Sequence, residues 1–69
     1  MTNAKDIRTL AKEHGGKTRV KGGFANVTFA DPMDSADFRV ALIKRLGVEV
    51  CNQRIAGGGT RIVCAVKVS

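Results

Sequence analysis

The sequence predicts an α+β fold in two layers, a four-stranded antiparallel sheet with two helices on one face. Two observations support this class. First, apolar residues recur at helical spacing in two stretches. Second, each of these stretches is followed by a segment in which residues of the two strand faces alternate and which two or three consecutive glycines interrupt. The predicted order of elements is therefore α-β-β-α-β-β. Because the chain has 69 residues, we expect one small domain over residues 1–69.

The first helix is predicted over residues 3–14. Asn3 is suited to cap its N-terminus, and Asp6 stands three residues later, in the position of a capping box. Gly15-Gly16 predicts the end of the helix, because glycine adopts the left-handed conformation that follows many helices. The side chains expected on its inner side are Ala4, Ile7, Leu10, Ala11 and His14.

The first hairpin is predicted over residues 17–29, with Gly22-Gly23 as a two-residue turn. This turn pairs Lys21 with Phe24 and Arg19 with Asn26. Because side chains alternate along a strand, one set is expected to face the core: Thr18, Val20, Ala25, Val27 and Phe29. The opposite face is then predicted to carry Lys17, Arg19, Lys21, Phe24, Asn26 and Thr28.

The second helix is predicted over residues 31–46, from Asp31-Pro32 to the residue before Gly47. Proline is tolerated in a first helical turn, and glycine ends a helix readily. Arg39 falls inside the apolar arc, so we expect its charged end to reach out to solvent. The predicted buried stripe consists of Phe38, Leu42, Ile43 and Leu46.

The second hairpin is predicted over residues 48–68 around Gly57-Gly58-Gly59. A three-residue loop pairs Val48 with Val68, Val50 with Val66 and Glu49 with Lys67. In that register the inward side chains are Ile62, Cys64, Val66 and Val68, together with Asn52 and Arg54 near the loop. A loop one residue longer or shorter changes the pairing and is expected to bring Cys51 opposite Cys64. The sequence leaves these registers open.

Cysteine use favours a cytoplasmic location. Cys51 and Cys64 are the only cysteines, whereas small secreted domains usually carry several disulfides. We therefore expect two free thiols, with a single disulfide as the alternative.

Motifs for catalysis, cofactors and metals are weak. The only histidine, His14, gives no four-ligand metal set. Residues 11–18 end in Gly-Lys-Thr, but a phosphate-binding loop needs a strand before it and a helix after it, the reverse of the order predicted here. No apolar run approaches the length of a membrane span. We expect no enzyme activity, no cofactor and no membrane partner.

The charge balance points to a polyanionic partner. Lys and Arg outnumber Asp and Glu by 12 to 6, which gives a formal net charge of +6. Lysine and arginine side chains bind nucleic acids by neutralising phosphates and releasing their condensed counterions. The cationic face of the first hairpin and the arginines that flank the glycine loop are therefore predicted to bind DNA or RNA, mainly through its backbone. The candidate residues are Lys17, Arg19, Lys21, Phe24, Arg54 and Arg61.

Other partners remain open at this point. The chain is expected to be an accessory or regulatory protein, and its small size suits a phage or another mobile element. The alternative is a protein-interaction module that binds an acidic surface of a larger protein and inhibits or redirects it. Because the predicted core is small and the hairpins have free edges, a homodimer is a further hypothesis.

Overall fold

The structure, a computed structural model, describes residues 3–68 and confirms the predicted fold class and order of elements. The strands form one antiparallel sheet in the order β1-β2-β4-β3. Both helices pack on the same face, α1 against β1 and β2, and α2 against β2 and β4. The elements are α1 (Ala4–Glu13), β1 (Lys17–Lys21), β2 (Phe24–Phe29), α2 (Pro32–Ala41), β3 (Asn52–Ala56) and β4 (Arg61–Lys67).

The chain builds the sheet from two consecutive αββ units. The second strand of each unit lies in the centre of the sheet, where Val27 of β2 pairs with Cys64 of β4. The first strand of each unit, β1 or β3, forms an edge. The core therefore lies between the helices and the two central strands, and its buried residues are Ile7, Leu10, Ala11, Ala25, Val27, Phe29, Phe38, Leu42, Cys64 and Val66.

Helix α1 begins and ends as its sequence predicts. The Asp6 backbone N–H donates a hydrogen bond to Asn3 Oδ1 at 2.8 Å, which caps the N-terminus. Gly15 has a φ of +78°, so the chain leaves the helix in the left-handed conformation. Gly16 then passes close to the core, because a Cβ at this position would lie 2.6 Å from Phe29 Cε1. Ile7, Leu10 and Ala11 are the buried residues of this helix.

The first hairpin has the predicted register. Lys21 pairs with Phe24 and Arg19 with Asn26, and both turn glycines have positive φ, as a type I′ turn requires. The inward residues of β2 are buried. Val20 of β1 stays 41% exposed because it lies on an edge strand.

Helix α2 is capped by Asp31, whose side chain accepts a hydrogen bond from the Met33 N–H at 2.9 Å. The helix continues into a π-helical turn over Leu42–Leu46 and ends at Gly47, which has a φ of +65°. Its extent agrees with the predicted range 31–46.

The predicted buried stripe of α2 is wrong at Ile43, which is 53% exposed. The buried line runs instead through Ser35, Phe38 and Leu42, because Ser35 is small enough to pack under the helix, 3.4 Å from Cys64 Sγ. The wider π-helical turn changes the phase of the residues after Leu42. Arg39 is exposed, as expected.

Of the registers that the sequence leaves open for the second hairpin, the one with a three-residue loop is wrong, and the loop is one residue longer. Ala56 pairs with Arg61, so the loop has four residues, 57–60, and not three. Thr60 completes the loop, because its hydroxyl donates to the Gly57 carbonyl at 2.6 Å. The residues predicted to form the first part of this strand, 48–51, precede β3.

The corrected register has two consequences. Arg54 pairs with Val63 and Asn52 with Ala65, so both side chains lie on the helix-free side of the sheet and not inward. Cys64 faces Gln53 across the strands, so Cys51 does not lie opposite it. Both cysteines are free thiols, Cys51 exposed and Cys64 buried.

Candidate nucleic-acid interface

The side of the sheet without helices is a continuous surface to which all four strands contribute. We call it the basic face. Its residues follow from the pairing of the strands and from the alternation of side chains along each of them. They are Lys17, Arg19 and Lys21 of β1, Phe24, Asn26 and Thr28 of β2, Asn52, Arg54 and Ala56 of β3, and Arg61, Val63, Ala65 and Lys67 of β4.

Residues of the basic face form rows across the sheet. In one row, Lys17 pairs with Thr28, Thr28 with Val63, and Val63 with Arg54. The three strand spacings place the two ends of this row roughly 14 Å apart. The next row runs from Arg19 through Asn26 and Ala65 to Asn52. In these two rows, cations stand on the β1 edge, while the residues of the two central strands are uncharged.

The charge of the basic face has one sign. It carries six of the chain's twelve Lys and Arg residues and none of its six Asp and Glu residues. The acidic side chains all belong to the helices or to segments between elements: Asp6, Glu13, Asp31, Asp34, Asp37 and Glu49.

Within the described residues, no ion pair neutralises these cations. Within residues 3–68, one salt bridge forms, from Arg45 to Glu13 at 3.2 Å, and it joins the two helical segments. The cations of the basic face are therefore available to an external anion.

The basic face contains two adjoining shallow hollows. The first is lined by Lys17, Arg19, Arg54 and Arg61, and Val63, only 7% exposed, lies at its floor. The second is lined by side chains that include Phe24, Asn26, Asn52 and Arg54. Lys21, Asn26 and Arg54 line both hollows, so the two form one trough across the sheet.

All six candidate residues from the sequence lie on the basic face. The cations of β1 share one face of the strand, as predicted, and this strand forms an edge of the sheet. Arg54 and Arg61, which the sequence places only beside the glycine loop, join Lys17 around one hollow. Phe24 is 38% exposed and pairs with Lys21 on one side and with Lys67 on the other.

Sequence reasoning missed Lys67, Asn26 and Asn52 as candidates. The three-residue loop pairs Lys67 with Glu49, whereas Phe24 is its partner in the structure. The alternation of side chains in β4 could have identified Lys67, because Val66 points inward and the next residue must then point to the other face. The pairing of β2 with β4 was not predicted, and it brings the two asparagines into one row.

Neither a metal-binding cluster nor a membrane-spanning helix occurs in the described part of the chain. Within residues 3–68, no group of three or more His, Cys, Asp or Glu side chains is placed to hold a metal ion. In the same stretch, none of the helices has the length and apolar character needed to cross a membrane.

Comparisons of the sequence with protein-family models and with curated proteins, and of the fold with solved structures, find no match.

Proposed function

We propose that this protein binds DNA or RNA through the basic face, mainly by contacts to phosphates. The observation that carries the proposal is the presence of six cations on one open sheet face that holds no carboxylate side chain. A surface of one sign attracts a polyanion from solution and gains free energy when the counterions condensed on that polyanion are released.

The spacing of the cations suits a regularly charged polymer. Along β1, successive cations stand about 6.5–7 Å apart, since side chains on one face recur every second residue. This spacing is close to the phosphate repeat of an extended strand. Arg54 and Arg61 line the trough across the sheet from the β1 edge and can bind a second set of phosphates.

The uncharged residues of the face have a different role in this proposal. Asn26 and Asn52 can donate and accept hydrogen bonds, which are suited to base edges or sugars. Phe24 presents an aromatic ring on which a base can stack. With one aromatic residue on the face, stacking contributes less than phosphate contact.

The biological role that fits is that of an accessory or regulatory protein in the cytoplasm, where nucleic acid is accessible. The chemistry proposed for the face is binding alone, with no covalent step. The same surface charge would also suit an acidic protein, and the test below separates these two partners.

The test is a binding titration by fluorescence anisotropy with labelled single- and double-stranded DNA and RNA of about 20 nucleotides, at several salt concentrations. Labelled polyglutamate with the same number of charges as the nucleic acid is titrated in the same way, as the polyanion for comparison. If all six cations contact phosphates, the slope of log K against log salt reaches about −5 for a duplex and about −4 for a single strand. Saturable binding with a slope of several units supports the proposal. Tighter binding to polyglutamate than to every nucleic acid would overturn it in favour of an acidic protein partner.

A further inference from the structure

A groove with an apolar wall lies in the helix layer, between α2 with its π-helical turn and the segment that leads into β3. We call it the α2 groove. Val40 and Ile43 form its apolar wall and remain 50% and 53% exposed. Ala36, Arg39, Glu49 and Val50 complete its lining.

The second helical segment therefore has two apolar sides. Its buried line runs through Ser35, Phe38 and Leu42, whereas Ala36, Val40 and Ile43 form a separate line at helical spacing. A surface helix usually carries one apolar stripe, and exposed apolar residues that cluster beside polar ones mark interaction sites. The second line is therefore a candidate interaction surface.

We propose that a second copy of this chain covers it, with the α2 grooves of two copies packed against each other about a two-fold axis. Charge complementarity favours this partner. Arg39 and Glu49 line the same groove, and neither has an ion-pair partner within residues 3–68. In a two-fold interface the same patch meets itself, so a contact between Arg39 of one copy and Glu49 of the other would form twice. An acidic or a basic partner would satisfy only one of these two charges.

The proposed interface leaves the basic face free. The α2 groove lies in the helix layer, and the cations of the basic face project from the opposite side of the sheet. The proposal is thus independent of nucleic-acid binding, and either can fail while the other stands.

The test is the molar mass in solution, measured by sedimentation equilibrium over a range of protein concentrations. We expect a species of twice the 7.3 kDa chain mass, in equilibrium with the monomer. Arg39→Glu or Glu49→Arg alone places like charges together twice in each dimer, and each should raise the dissociation constant at least about tenfold. An equimolar mixture of these two variants restores both opposite-charge pairs and should recover dimers.

A matched pair of variants tests the apolar wall. Val40→Asp should abolish the dimer, whereas Met33→Asp, on the same helix but outside the α2 groove, should leave it intact; Met33 is 72% exposed. Circular dichroism confirms that each variant is folded. A mass of 7.3 kDa at every concentration, or a mixture of charge variants no more associated than its components, would overturn the proposal.

Discussion

Lys17 and Arg54 stand at opposite ends of one row of paired residues, with Thr28 and Val63 between them. The pairing of β2 with β4 creates this relationship, because it joins the two hairpins along their second strands. Two cationic segments that are far apart in sequence thereby form one surface. The basic face is a product of the sheet order, and neither hairpin would form it alone.

Lys67 is expected to contribute to nucleic-acid binding, although it is absent from the candidates predicted from the sequence. Lys67→Ala should weaken binding and reduce the salt slope by about one unit if the lysine contacts a phosphate. Lys44→Ala removes the same charge from the helix layer and serves as the control. Anisotropy titrations at three or more salt concentrations measure both. Equal slopes for the two variants would show that Lys67 makes no phosphate contact.

The first hairpin could be predicted to the residue. Two adjacent glycines permit a type I′ turn, and once the turn is fixed, alternation determines which side chain points to which face. The N-terminal caps of both helices could be predicted equally well, because Asn3 and Asp31 stand directly before the first helical residues and accept hydrogen bonds there. These features depend on short stretches of chain, so local sequence determines them.

The second hairpin and the α2 stripe could not be predicted in the same way. Three glycines and a threonine allow loops of different lengths, and a change of one residue reverses every side chain of the strand. The Thr60–Gly57 hydrogen bond selects the longer loop. Ser35 was missed in the buried line because its burial depends on the contact with Cys64, which is distant in sequence.

Gly16 is expected to be intolerant of any side chain. In Gly16→Ala the new Cβ would lie within 2.8 Å of both Phe29 and Val27 side-chain atoms, in a packed part of the core. Overpacking of this kind costs about 1–3 kcal/mol of unfolding free energy. Urea denaturation measures the loss. If Gly16→Ala has the same midpoint as the wild type, Phe29 does not pack against this glycine.

The two cysteines are expected to react at different rates with a thiol reagent such as dithionitrobenzoate. Cys51 is exposed and should react in the native protein, whereas Cys64 is buried and should react only as the protein unfolds. Cys51→Ser should abolish the fast phase and leave the slow one. Absence of any titratable thiol in the purified, unfolded chain would reveal a disulfide and contradict the strand register.

The most direct test of the account compares two triple variants that lose the same charge. One removes the β1 cations of the basic face, as Lys17→Ala/Arg19→Ala/Lys21→Ala; the other removes three exposed cations of α1, as Lys5→Ala/Arg8→Ala/Lys12→Ala. Salt-titrated binding to one nucleic acid should show a slope reduced by about 2–3 units and an affinity at least about tenfold lower for the first variant only. Equal losses in the two variants would mean that overall charge, and not the basic face, governs binding.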